Sequence, residues 1–158
     1  MDRADPDCPP EALRPLTADG RGKTAQAAAG MRRMKVRPDV VLTSPLRRAI
    51  ETAQIVVEQL GLPPEVLRQT PALQPGAPVL ELLAELRHEN AASIMIVGHE
   101  PDLSGFASWL LVGSAEALEL QLKKPALCIL EIDEVVSPRP AAHLIALLQP
   151  AHLRKQAR

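Results

Sequence analysis

Aromatic residues and cysteines are both scarce in this chain. Phe106 and Trp109 are its only aromatic residues, so the core must be built from aliphatic side chains. Cys8 and Cys128 are far apart and have no metal-ligand spacing, which argues against a disulfide framework and favours a reducing compartment. No apolar run approaches the length that spans a bilayer, and the first residues lack the basic and apolar stretches of a signal peptide. We therefore expect a cytoplasmic protein that does not enter a membrane.

An excess of charge of one sign is also missing. The formal net charge is −1 and the sequence pI is about 6.4. This balance creates no global field that would attract nucleic acid or an acidic membrane surface. The length of 158 residues suits a single domain. We expect this domain to comprise residues 1–158, with a polar, proline-rich irregular arm at 1–13 and a short, solvated tail at 150–158.

Hydrophobic patterning predicts an alternation of helices and strands. The predicted helices cover residues 17–34, 45–61, 79–89 and 102–111. The predicted strands cover residues 38–43, 66–67, 93–97, 127–132 and 143–148. In the third helix, Leu80, Leu83 and Leu86 are expected on the buried face. Such alternation favours an α/β domain with a mostly parallel sheet that is flanked by helices on both faces.

Two segments follow strand ends in this arrangement, at the edge where parallel sheets bind their ligands. The first segment carries Arg47 and Arg48 at the start of a helix. An arginine presents a planar fork of N–H donors that matches the oxygens of a phosphate group. Adjacent helical residues point in different directions, so at most one of the two arginines is expected to face the site. Two solvated surface arginines are the alternative interpretation.

The second segment places His99 directly after a strand. Gly98 allows the backbone to turn sharply there. Pro101 suits the first turn of the next helix, whose free N–H groups favour an anion. His99 would then lie at the mouth of the crevice beyond the sheet. The alternative is a structural histidine that is hydrogen-bonded to a neighbouring carbonyl group.

Three segments together resemble the histidine phosphatase superfamily. They are residues 14–20 (RPLTADG), 44–53 (SPLRRAIETA) and 97–104 (VGHEPDLS). Their order and spacing are similar to those of bacterial SixA-type phosphohistidine phosphatases, and the resemblance extends over nearly the whole chain from Arg14 onward. It implies a phosphoglycerate-mutase-like fold without a cofactor. It also implies a phosphatase in which a histidine nucleophile attacks the phosphoryl group, and water hydrolyses the phosphohistidine intermediate.

The resemblance assigns roles to individual residues. His99 matches the family's second histidine and Arg48 its second arginine, and both are therefore expected to be catalytic. An arginine and an imidazolium would neutralise a transferring phosphoryl group without a metal ion. Arg14 and Ser44 are weaker candidates for substrate binding. A surface position for Arg14 and a helix-capping role for Ser44 are the alternatives.

The chain departs from the family pattern at the nucleophile. The family carries it in an Arg-His-Gly-like motif at the end of the first strand, whereas the one Arg-His pair here, Arg87-His88, is followed by Glu89 within a helical pattern. We expect that this first strand is missing and that the nucleophile would lie a few residues upstream of Met1, as a start codon placed too far downstream would produce. Loss of a central strand would expose unpaired backbone groups on both of its neighbours.

These observations favour a phosphatase that acts on a phosphohistidine-bearing signalling protein. The chain lacks the large insertions with which related mutases close over small phosphates, and an open site suits a protein-borne substrate. Without its nucleophile, the chain as given is expected to be inactive. A small-molecule phosphomonoesterase of the same superfamily is one alternative. The other is a non-catalytic module that binds phosphate or a phosphoprotein.

Overall fold

The computed structural model describes residues 9–133 and 141–157. In these ranges the α-helices are α1 (Ala18–Arg33), α2 (Arg47–Leu60), α3 (Val79–His88), α4 (Asp102–Val112) and α5 (Pro150–Gln156). The strands are β1 (Val40–Thr43), β2 (Leu67–Gln69), β3 (Ile94–Val97), β4 (Leu127–Ile132) and β5 (Ala142–Leu148). Most of the predicted arm, with Cys8, lies outside the described residues. No helix in the described ranges is long and apolar enough to cross a membrane.

The strands form two groups. β1 lies between β2 and β3 and pairs with both in parallel, whereas β4 and β5 form an antiparallel pair. On one face of the parallel sheet, Leu42 and Ile96 pack with Leu82 of α3 and Phe106 of α4. On the opposite face, side chains of α2 cover Val41. The prediction of a mostly parallel sheet with helices on both faces is therefore confirmed.

The β4–β5 pair belongs to the same layer as the parallel sheet. Leu130 of β4 packs against the apolar cluster that also includes Ile96 of β3. Leu127 of β4 packs against the cluster on the other face, to which Met95 of β3 contributes. The same two apolar layers thus cover both groups of strands, although no backbone ladder joins the groups within the described ranges.

The second edge of β3 has no partner strand in the described part of the chain. The Ser44 N–H donates to the Val97 carbonyl oxygen at 3.0 Å, so the peptide groups of Val97 face β1. Successive residues of a strand direct these groups to opposite sides, and those of Ile96 therefore face away from β1. This edge of β3 is therefore open within the described ranges, and the absence of a central strand stays a prediction.

Capping residues set the ends of α1 and α2 as their sequence predicts. The Thr17 hydroxyl accepts a hydrogen bond from the Gly20 N–H at 3.0 Å and begins α1. Gly61 ends α2 with a φ of 66°, in the left-handed region that glycine adopts without strain. Both helices therefore begin and end within two or three residues of the predicted positions.

The buried face of α3 was predicted incorrectly in one position. Leu80 is 65% exposed, whereas Leu82, Leu83 and Leu86 are buried. The buried set follows the helical spacing that starts at Val79, which packs against the same cluster. Leu80 lies about 100° away from Val79 around the helix and so faces solvent.

The C-terminal segment is a docked helix, so the prediction of a solvated tail at 150–158 was wrong. Pro150 occupies the first turn of α5, and Leu153 is fully buried against α1. The backbone of α5 approaches α1 at Gly30, where an added Cβ atom would collide with the Leu153 carbonyl oxygen. Gly30 has a low intrinsic helix propensity, but its lack of a side chain is required for the packing of α5 against α1.

Candidate active site

The fold brings Ser44, Arg48 and His99 to one edge of the parallel sheet. Ser44 directly follows β1, Arg48 lies in the first turn of α2, and His99 is two residues beyond the end of β3. β1 and β3 are parallel neighbours, so their carboxyl ends meet at the same edge. Ser44 and His99 are both buried, and the Arg48 side chain is 27% exposed.

Two side-chain contacts orient the imidazole of His99. Its Nε2 lies 2.9 Å from the Ser44 Oγ, and its Nδ1 lies 3.3 Å from the Nη2 of Arg48. A guanidinium group can only donate, so the Nδ1 atom must accept and carries no proton. The proton of the neutral ring is then on Nε2, which donates to Ser44. The contacts therefore select one tautomer of a neutral imidazole.

The electrostatic environment also favours the neutral form of His99. Burial lowers the pKa of the imidazole below its ordinary value of 6.5, and the positive charges of Arg48 and Lys124 lower it further. The carboxylates of Asp102 and Glu11 act in the opposite direction without reversing the shift. The side chain is therefore a neutral imidazole at neutral pH, and the imidazolium expected beside a transferring phosphoryl group stays a prediction.

Both the backbone carbonyl oxygen and the carboxylate of Glu11 contact the Arg48 guanidinium. The Nη1 of Arg48 donates to the Glu11 carbonyl oxygen at 3.1 Å, and its Nη2 lies 3.2 Å from the Glu11 carboxylate oxygen Oε1. Glu11 was not a predicted site residue, because it lies in the irregular arm, where spacing carries no signal. Lys124 was not predicted either, because it lies in the irregular connection between α4 and β4, where the spacing of residues again carries no signal.

The two adjacent arginines point in different directions, as helical geometry requires. The Arg47 side chain is 57% exposed, and its Nε donates to the Glu51 Oε1 at 3.0 Å. Arg48 instead points towards His99. Of the pair, Arg48 is therefore placed to contact a ligand of the candidate site, and Arg47 forms an ion pair with Glu51 within α2.

Glu51 connects the segment after the arm to α2. Its Oε2 accepts from the Leu16 N–H at 2.8 Å and pairs with the Nη2 of Arg21 at 2.8 Å. Burial would raise the pKa of this carboxyl group, but the hydrogen bonds from Leu16 and Arg47 and the charges of Arg21 and Arg47 outweigh it, so the pKa lies below its ordinary value of 4.5. The sequence offered one signal for this role, the helical spacing of four residues between Arg47 and Glu51.

The side chains of Ser44 and Arg14 both have partners within the protein. Ser44 is fully buried, and its hydroxyl oxygen accepts from the Leu46 N–H at 3.3 Å besides contacting His99. It therefore orients the imidazole from behind. The Nε of Arg14 donates to the carbonyl oxygen of Pro9 at 2.9 Å, which ties this side chain to the arm. Substrate binding by Arg14 stays a prediction.

The arrangement has the chemistry of an anion-binding site. Arg48 supplies N–H donors and a permanent positive charge at the rim, and His99 supplies a ring nitrogen that can take up a proton. A cavity of about 20 Å³ lies behind His99, lined by residues such as Leu73 and Phe106. It is large enough for roughly one water molecule and is not lined by Arg48, so it is not the place where an anion would contact the guanidinium.

Comparison with known proteins connects this site to a family. Residues 14–74 match the model of the histidine phosphatase superfamily (branch 1). An uncharacterised protein of Picosynechococcus sp. strain PCC 7002 is 35% identical over 115 residues, which are 70% of this chain and 67% of that protein. The phosphohistidine phosphatase SixA of Escherichia coli K12 is 35% identical over 98 residues, and the match spans 60% of each chain.

A solved structure shows the same overall arrangement. The protein histidine phosphatase SixA in complex with tungstate superposes with a TM-score of 0.78 and 25% sequence identity. The superposition covers 94% of this chain and 92% of that one. The similarity therefore extends beyond the matched family segment to the later strands and helices.

Proposed function

Because this chain belongs to the histidine phosphatase superfamily, we propose that it acts on phosphohistidine carried by a signalling protein. The observation that carries the proposal is the contact between Arg48 and His99 at the carboxyl end of the sheet, with 3.3 Å between Nη2 and Nδ1. The E. coli relative is named as a phosphohistidine phosphatase and supports this substrate class. The structural relative that holds tungstate, a tetrahedral oxyanion like phosphate, supports an oxyanion site.

The chain's own residues would bind the phosphoryl group in two steps. Arg48 contacts the phosphoryl oxygens first, because its guanidinium is charged at all relevant pH values and lies at the rim. The negative charge of the bound group then favours uptake of a proton from solvent on the Nδ1 of His99, which stops accepting from Arg48 and instead donates its N–H to a phosphoryl oxygen. The Nε2–H of His99 stays hydrogen-bonded to the Ser44 hydroxyl oxygen throughout and fixes the orientation of the ring. Phosphoryl transfer depends mainly on such positioning and charge neutralisation.

A protein-borne substrate suits the geometry of the site. The cavity behind His99 holds about one water molecule and encloses no sugar-sized ligand. Arg48 lies at the surface, where a phosphohistidine on another protein can reach it. This openness favours a phosphoprotein over a small phosphate ester, the other substrate class of interest.

The nucleophile of the proposed reaction is not among the histidines of this chain. Besides His99, the sequence contains His88, His143 and His152. These lie in α3, β5 and α5, and none of them follows the end of a strand of the parallel sheet. His99 itself is held by Ser44 and Arg48 on both ring nitrogens. We therefore propose that these residues bind the phosphoryl group without forming a phosphohistidine intermediate.

Incubation with a phosphohistidine protein tests both parts of the proposal. A histidine protein is phosphorylated with phosphoramidate, mixed with the purified chain and followed by ³¹P NMR. We expect binding that inorganic phosphate displaces, and no loss of phosphohistidine above the uncatalysed rate. Arg47→Ala should bind as well as the wild type. Tighter binding of a small ester such as phenyl phosphate would support the small-molecule alternative, and turnover that survives stringent purification would contradict the inactive state.

A further inference from the structure

Arg48 has fewer free donors than its exposed position suggests. Its Nη2 carries two N–H groups, and the structure places both the Glu11 Oε1 and the His99 Nδ1 within 3.3 Å of that nitrogen. Its Nη1 donates to the Glu11 carbonyl oxygen. A phosphate group that binds the guanidinium through two parallel hydrogen bonds must therefore displace at least one of these partners.

Glu11 is the partner that can leave before His99 takes up a proton. The Glu11 side chain is 60% exposed and lies in a short 3₁₀ turn (Glu11–Leu13), and an exposed ion pair of this kind is weak. His99 is only 8% exposed and is held from behind by the Ser44 hydroxyl at 2.9 Å. Displacing the imidazole would disturb a buried hydrogen bond, whereas displacing the carboxylate returns it to water.

Electrostatic repulsion prevents the Glu11 carboxylate and a phosphate from binding Arg48 at the same time. A carboxylate at 3.2 Å from the Arg48 Nη2 would lie beside the oxygens of a phosphate bound to the same fork. Like charges at such a distance repel, so the guanidinium binds either the Glu11 carboxylate or the phosphate.

We propose that Glu11 is an internal competitor for the phosphoryl site, because its carboxylate occupies the Arg48 fork that the substrate's phosphoryl group must take. The inference rests on the proposed function of Arg48 and adds a residue that sets the affinity of that site. A ligand enters by exchange with the Glu11 carboxylate, which leaves the Arg48 guanidinium when the site is filled.

Titration with inorganic phosphate tests this competition. Kd is measured by calorimetry at low ionic strength for the wild type, Glu11→Gln and the matched control Glu58→Gln. Glu58 is an exposed glutamate on α2, and its substitution removes the same charge far from the arm. We expect Glu11→Gln to bind phosphate about two- to fivefold more tightly than both other proteins, as removal of an exposed ion pair allows. The difference should shrink as NaCl is added, because exposed charges are screened.

Additional variants separate the possible failures. Glu11→Ala removes the side chain entirely and should also tighten binding, which guards against an effect of the new amide. If both Glu11 variants bind no better than Glu58→Gln while Arg48→Ala abolishes binding, the competition is refuted and the phosphate site stands. If none of these proteins binds phosphate, the site and the competition fail together. If phosphate binds the two Glu11 variants but not the wild type, the result would support strong competition by the Glu11 carboxylate.

Discussion

The hydroxyl of Ser44 lies 2.9 Å from the Nε2 of His99, and both residues are buried. Ser44 directly follows β1 and His99 lies two residues beyond its parallel neighbour β3, so their contact links the two strand ends that form the site. The link fixes the ring plane and its tautomer before any ligand arrives. Its removal should therefore change both stability and the state of the imidazole.

Ser44→Ala should destabilise the fold by about 1–3 kcal/mol, because it leaves the buried Nε2–H of His99 without its acceptor. The matched control is Ser104→Ala, whose exposed hydroxyl donates to the Pro101 carbonyl oxygen and whose loss should change stability by at most about 0.5 kcal/mol. Urea unfolding measures stability, and ¹⁵N chemical shifts of the imidazole report the tautomer. An unchanged tautomer in Ser44→Ala would show that Arg48 alone orients the ring.

The charge state of His99 should respond to Arg48 and to phosphate in a defined direction. Its pKa lies below 6.5 because of burial and the neighbouring positive charges, so the ring is neutral at pH 7. Arg48→Ala removes one of those charges and should raise the pKa, while Arg47→Ala should leave it nearly unchanged. Bound phosphate should raise it in the wild type. NMR titration of the imidazole measures each value, and a pKa that falls on phosphate addition would contradict the proposed proton uptake.

Glu51 should make stability depend on pH in the acid range. Its pKa in the folded protein lies below the ordinary value of 4.5, so the unfolded chain binds more protons as the pH falls. The stabilisation is present above pH 4.5 and is lost as the pH falls through the folded-state pKa. Glu51→Gln should weaken the fold at pH 7 by about 1–3 kcal/mol and flatten this dependence. Asp19→Asn, at an exposed ion pair with Lys23, should do neither. Parallel pH profiles for wild type and Glu51→Gln would refute the role.

The docking of α5 on α1 predicts opposite effects for two glycine substitutions in one helix. Gly30→Ala should destabilise the protein by about 1–3 kcal/mol, because its Cβ would collide with the Leu153 carbonyl oxygen. Gly22→Ala meets no atom within 4 Å and should stabilise the helix by up to about 1 kcal/mol. Thermal unfolding compares the two. A stabilising Gly30→Ala would mean that α5 does not dock as described.

Strong periodicity and strand ends made much of the fold predictable from the sequence. The apolar run around Met95 identified β3, and the turn at Gly98 placed His99 at its end. Helical geometry predicted that Arg47 and Arg48 point in different directions, and the family resemblance identified Arg48 as the one that faces the site. These features are local, so a single sequence carries them.

Long-range contacts were not predictable in the same way. Glu11 reaches Arg48 across 37 positions of the sequence, and Leu16 reaches Glu51 across 35. The docking of Leu153 against Gly30 depends on the final position of two helices that the sequence pattern describes separately. In each case the missed feature depends on packing between segments, which local patterning does not specify.

Phosphate binding by Arg47→Ala and Arg48→Ala tests the central claim most directly, since the two variants lose the same charge and differ in direction. Calorimetric titration with inorganic phosphate is carried out on both variants and the wild type at one ionic strength. Arg47→Ala should retain nearly full affinity, whereas Arg48→Ala should lose at least about tenfold, as removal of a charged hydrogen-bonding partner implies. Equal losses in the two variants would indicate a diffuse electrostatic effect and would contradict a phosphoryl site built on Arg48 and His99.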